Sequence, residues 1–210
     1  MENMEDAALS EDQRTTKDTK VVRFAGICGI LASVLPLIMI LYLTSISPWF
    51  RWEANALSDI GVRQEAWLFN SAVITGGILT ILFAVGLLQT LNKNKITRAG
   101  IVSLLIGSIC LSLVGIFTLN TLIPHTIVSL CYFLFTPVGF VLVGIGTEEK
   151  RVRTLSIICG IAAFLAIFLL PLVIYTASLH IGFAVPELAE ALIISTWVFL
   201  MSIHLLQQKK

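Results

Sequence analysis

The chain has 210 residues, 57% of them hydrophobic and 13% charged, with a mean hydropathy of +0.92, which excludes an ordinary soluble domain and points to a bilayer. The formal net charge is +1, and the basic residues are scattered at the ends of apolar runs, so there is no footprint for nucleic acid. Cys28, Cys110, Cys131 and Cys159 all fall inside apolar runs and form no CxxC pair, which excludes a zinc knuckle or a CxxC redox motif and leaves packing as their role.

Residues 1–20, MENMEDAALSEDQRTTKDTK, are polar, mixed in charge and poor in large apolar groups. They are expected to form a disordered cytoplasmic tail, without the order of a signal peptide, ahead of a transmembrane domain over 21–210. The runs 22–46, 68–91, 99–119, 125–146, 155–178 and 183–206 each reach the roughly 20 residues needed to cross a hydrocarbon core. Backbone groups in lipid must be satisfied within the segment, and the runs lack the alternation of barrel strands. The predicted fold is therefore all-α, an integral membrane bundle of six transmembrane helices. Pro36, Pro137 and Pro171 predict local kinks, and the short connections predict antiparallel neighbours. Glycine and serine at close intervals predict close backbone approach. Arginines at the starts of the odd-numbered helices suggest three stacked hairpins, although topology alone asks for the same pattern.

Of the fourteen Lys and Arg residues, twelve lie before the first span, in the second and fourth connections, or at the C-terminus. Only Arg51 and Arg63 lie on the other side. The positive-inside rule then puts both termini in the cytoplasm of a cell-membrane protein and the segment Trp49 to Trp67 outside.

That segment, WFRWEANALSDIGVRQEAW, is the one long polar connection and carries three of the four tryptophans. Its simplest reading is an interfacial helix between aromatic anchors, with Ser58 or Asp59 as a cap and Gly61 in a turn. A sharper reading turns Asp59 inward at the mouth of the bundle. The same side collects Asn55, Ser58, Asn70, Asn120, His125, Ser129, His180, Glu187 and Glu190, a set that suggests an outward-facing ligand pocket with Asp59, His125, Glu187 and Glu190 as candidate catalytic groups. Simpler readings stand beside each. His125 lies in a wet interface, Ser129 bonds back to the carbonyl of His125, Glu187 complements a helix dipole, and His180 is solvated. Glu190, one turn deeper, needs a partner, and His125 is the nearest cation by depth. His204, at the cytoplasmic end, is set aside.

Carboxylate with imidazole offers either a zinc ion on nitrogen and oxygen ligands, activating water, or general acid/base work on a lipid-like substrate. No HExxH, GxSxG or phosphate loop accompanies them.

The runs NALSDIG at 55–61, FNSAVITGGIL at 69–79, VGIF at 114–117, PHTIVS at 124–129 and PELAE at 186–190 together resemble the domain of unknown function 998 family of prokaryotic, often archaeal, membrane proteins. The resemblance covers nearly all of the chain after the tail. It implies a small multi-pass membrane protein and brings no established reaction. The serine, aspartate and histidines are also faintly similar to those of the multi-pass metal-dependent hydrolases that include alkaline ceramidases. Those have seven spans and paired histidines on a late helix, which this chain lacks. The reading favoured is a membrane component that interacts with membrane lipids or a small ligand, ahead of an outer-leaflet hydrolase. A small transporter comes third, because the helix centres carry no charged relay and no matched interruptions.

Overall fold

The computed structural model describes the backbone of residues 2–91 and 94–207 and the side chains of 20–91 and 94–207. The tail expected over 1–20 therefore falls almost wholly outside the residues whose side chains are described, and Lys93, Lys209 and Lys210 lie outside the described residues altogether. The elements are α1 (Glu2–Ile46), α2 (Ala66–Leu91), α3 (Lys95–Ile116), α4 (Leu122–Gly146), α5 (Lys150–Thr176) and α6 (Ala184–Gln207), with no strand among the described residues. Each holds a stretch long and apolar enough to cross a membrane, the one in α1 being Lys20–Ile46. The fold is the all-α, six-span membrane bundle expected from the sequence.

Helix starts depart from the apolar runs where local chemistry extends them. α3 begins at Lys95 because Asn94, in extended conformation, caps it, its Oδ1 accepting from the Thr97 amide at 2.9 Å. α4 begins at Leu122 because Pro124 sits in the first turn, where a missing N–H leaves no hydrogen bond unmade. His125 is thereby carried inside the helix rather than left at its tip.

Each helix packs on its neighbours in the chain, and α6 packs back on α1 to close a ring. The backbones of α3 and α4 approach closely where a Cβ on Gly100 would come 2.8 Å from the Gly139 carbonyl oxygen and one on Gly139 would come 2.8 Å from that of Gly100. Pro36 and Pro137 lie within continuous helices, and Pro36 Cγ sits where a Cβ on Gly76 would be 2.8 Å away. At Pro171 the helix responds differently. Leu165–Leu169 widens into a π-helical turn, with the Leu170 amide donating to the Leu165 carbonyl just before the residue that has no N–H.

The two ends of the bundle differ in chemistry. Where α1 starts and α6 stops, the described residues include Lys20, Arg23, Lys95, Arg98, Lys150, Arg151 and Arg153. There the Asn94 amide donates to the Gly146 carbonyl, and Arg153 donates to the Thr147 carbonyl through Nε at 3.1 Å and Nη2 at 2.8 Å. His204 stands 3.4 Å from Glu149. Above this end lies the main core: Trp197, fully buried, stacks on Phe140 at 4.0 Å between ring centres and meets Phe83 edge-on at 6.2 Å. The Trp197 indole N–H donates to the Ser156 hydroxyl at 2.8 Å, so its one polar atom is satisfied. A second, smaller core of Leu43, Phe50, Leu57, Ile60, Phe69 and Val73 lies at the opposite end, under the Trp49 to Trp67 connection.

Candidate functional site

The connection between α1 and α2 is a folded cap rather than a helix lying flat between aromatic anchors. Its centre is a 3-10 turn, Leu57–Val62, and both Leu57 and Ile60 are buried beneath it. Burying each is worth about 1.5–3 kcal/mol, enough to hold a short turn against the bundle. Trp49 and Trp52 pack at the edge of this small core, with the Arg63 guanidinium 5.0 Å from the centre of the Trp49 ring, while Trp67 remains exposed.

Asp59 organises the turn. Its Oδ2 accepts from the Ala56 amide at 3.0 Å and from the Asn55 side-chain amide at 3.0 Å, while Asn55 Oδ1 accepts from the Arg51 amide at 2.9 Å. Two clips then fasten the turn to the helices. The Asn70 side-chain amide donates to the Gly61 carbonyl at 3.0 Å, and Glu187, in the first turn of α6, accepts from the Leu57 amide at 2.5 Å. The α5–α6 connection adds two more bonds, from the Gly182 amide to the Trp52 carbonyl and from the Ala184 amide to the Asn55 carbonyl, both at 2.8 Å. Residue 182 must be glycine for this approach, since a Cβ there would lie 2.6 Å from the Asn55 carbonyl oxygen.

On α4, His125 is buried and its Nδ1 lies 2.7 Å from the Phe117 carbonyl oxygen, which can only accept, so Nδ1 carries a proton. In the neutral ring Nε2 is left as an acceptor, and the Ser129 hydroxyl stands 3.5 Å from it. Ser129 thus points at the imidazole and not back to the His125 carbonyl, as its spacing alone suggested. Glu190 is only 1% exposed, and its Oε1 has no hydrogen-bond partner. The expected His125–Glu190 pair is not formed, because the histidine nitrogens are directed to Phe117 and Ser129 and no described Lys, Arg or His pairs with Glu190. Tyr132, one turn beyond Ser129, lies within electrostatic reach of Glu190.

Beneath the cap is a cavity of about 130 Å³, large against the roughly 10–15 Å³ that admits one water. Its walls come from α1, α2, α3, α4 and α6, and its roof from Leu57 and Ser58. Of the residues picked out in the sequence, Ser58, Ser129 and Glu187 line it. Asp59, Asn55 and Asn70 are engaged in holding the roof, His125 and Glu190 stand behind the wall, and His180 and Asn120 are exposed away from it. Among the described residues no three His, Cys, Asp or Glu side chains gather as a metal site would require, so a zinc ion has no ligand set there.

The sequence reading missed Ser33, Thr80, Tyr132 and Ser195 as lining residues. Ser33 and Thr80 donate to carbonyls of their own helices, at 2.8 Å each, and so carry no outward signal. Tyr132 had one, because residues 125, 129 and 132 share a helical face. Among the described residues no Lys, Arg or His lines the cavity. Arg51 instead makes an exposed ion pair with Glu53 at 3.9 Å.

A family model described as "Protein of unknown function (DUF998)" matches residues 30–204. No curated protein and no solved structure matches the chain.

Proposed function

Because the chain belongs to the DUF998 family of proteins of unknown function, we propose from its cavity that it is a multi-pass membrane protein that binds an amphiphile or membrane lipid. The observation that carries this reading is the hollow beneath the Leu57–Val62 turn, mostly apolar along its helices and more polar toward the roof, where Ser58, Ser129 and Glu187 line it. A helical bundle gains from filling such a space, since the lining atoms otherwise lack contacts on one side. The charge asymmetry supports placing both termini in the cytoplasm and the roof outside. With the native cysteines replaced, a membrane-impermeant maleimide should label Cys introduced at 55 and not at 150; the reverse pattern would invert the protein.

Binding itself is tested by extraction. Full-length protein purified in a mild detergent should release a bound amphiphile detectable by mass spectrometry, and Ala191→Leu, which fills the cavity from α6, should release none. Equal recovery from both would sink the proposal.

The Ser129–His125 contact favours a second reading, a hydrolase acting on an acyl substrate in the same hollow. Ser129 Oγ would attack the acyl carbonyl and pass its proton to His125 Nε2, which would return it to the leaving alkoxide; water would then release the acid. The Phe117 carbonyl, not a carboxylate, would hold the imidazole in place. A fluorophosphonate probe should then modify Ser129, and lose that reaction in His125→Ala. Absence of labelling in the folded protein would remove this reading and leave simple binding.

A further inference from the structure

We propose that the cavity takes a cationic amphiphile, a single-chain alkyl ammonium compound whose head is held by Glu187 and whose tail runs down α6 toward Val198. This deepens the binding reading above and rests on it.

The walls carry a gradient of polarity. Near the middle of the bundle the lining hydroxyls of Ser33 and Thr80 are committed to their own carbonyls, so that end offers a ligand mainly apolar surface, with the Ser195 hydroxyl as the polar group left there. From Glu187 to Val198 is eleven residues of helix, about 16 Å, a length suited to an alkyl tail. At the roof the chemistry reverses. Glu187 lines the cavity, and only one of its oxygens is taken, by the Leu57 amide. Glu190 follows one turn deeper behind the wall, nearly fully buried, with an oxygen that has no donor.

What is missing from this end gives the sign of the ligand. Among the described residues no Lys, Arg or His lines the cavity and neither glutamate is in an ion pair, and the nearby imidazole is directed to Phe117 and Ser129. Buried carboxyl groups are costly without a compensating cation or donor, and here the described residues supply no cation. An ammonium head would supply both charge and N–H groups. An anionic head would meet two acids, and a zwitterionic phospholipid would bring a phosphate that no basic side chain in the cavity could satisfy. A neutral alcohol would gain the tail contacts but not the charge.

The test is titration of dodecylamine, dodecanol and dodecanoate into the full chain in phosphatidylcholine nanodiscs, with empty nanodiscs subtracted. Dodecylamine should bind roughly tenfold or more tightly than dodecanol, as expected of a charge-assisted hydrogen bond, and dodecanoate should not bind. Glu187→Gln keeps an oxygen for the Leu57 amide and should bring the amine down to the alcohol. Glu190→Gln should narrow the gap without abolishing it. A parental elution volume and parental helical circular dichroism in each variant show that it has folded.

If amine and alcohol bind equally to the unsubstituted protein, or if the amine preference survives in Glu187→Gln, the charge assignment is overturned while the binding reading stands. If none of the three probes binds, or Ala191→Leu binds dodecylamine and dodecanol as the parent does, the binding reading fails with it. Weaker dodecylamine binding in phosphatidylethanolamine nanodiscs would overturn the single-chain assignment, because the ammonium head would then come from the bilayer.

Discussion

Along α6 the side chains facing inward change character within a few turns. At Trp197, Met201 and Leu205 they are large and fully buried, and Trp197 is stacked on Phe140 and bonded to Ser156. Nearer the roof the inward residues include Ala191 and Ser195, facing Ala32 and Ser33 of α1 across a hollow of about 130 Å³. The same helices thus enclose a filled half and an open half, and small residues opposed to small residues make the difference. At about 24 cal/mol per Å³, leaving such a space unfilled costs roughly 3 kcal/mol. The filled half should therefore carry most of the stability and the open half the ligand.

The largest expected effect is in the filled half. Trp197→Ala should cost about 3–5 kcal/mol in unfolding by graded denaturing detergent, the usual loss for a fully buried aromatic side chain. Trp197→Phe retains the ring contacts and should cost less, about 1–3 kcal/mol, mainly by leaving the Ser156 hydroxyl without its donor. A Trp197→Ala protein as stable as the parent would abolish the contrast between the halves. Gly100→Leu comes next, at about 1–3 kcal/mol, because the new side chain must part α3 from the Gly139 carbonyl.

A smaller and more local effect is expected at the roof. Asp59→Ala removes the acceptor for the Ala56 and Asn55 N–H groups and should cost about 0.5–2 kcal/mol, the range for losing a capping side chain. Hydrogen exchange should accelerate from Arg51 to Val62 and stay unchanged around Trp197. Equal acceleration at both ends would mean that roof and core unfold as one unit and that the cap is no separate device.

The six spans were legible because length and apolarity suffice for them; their limits moved most at the starts, to Lys95 after the Asn94 cap, to Leu122 with Pro124 in its first turn, and to Lys150 where 155 was expected. The location of Glu187 and Ser129 near one mouth was also legible, from helix position and alternating direction. Their partners were not. Whether Asp59 faced the cavity or its own turn depended on a 3-10 geometry that its neighbours do not encode by periodicity. His125 could be assigned to Glu190 by depth, yet depth says nothing about the direction of a ring, and the Phe117 carbonyl at the end of α3 was the nearer acceptor. Trp197 carried no sign that it would be the centre of the core while the other tryptophans gathered at the roof, since both environments suit an indole with a bonded N–H.

A further change, whose sign depends on occupancy, distinguishes an occupied hollow from an empty one. Ala191→Leu adds apolar volume where α6 borders the cavity. If the space is empty, the added methylenes gain contacts and the protein should be stabilised by up to about 1 kcal/mol, part of the cavity's cost recovered. If an amphiphile fills it in the membrane, the same substitution displaces the ligand or is crowded by it, and should be neutral or destabilising by about 1–3 kcal/mol. The two cases separate when unfolding is measured first on protein kept with native lipid and then on protein exhaustively delipidated. We expect the substitution to be unfavourable in the first and favourable in the second. A stabilising effect of equal size in both would mean that the hollow is empty in the membrane, and that the small residues of α1 and α6 serve close packing alone.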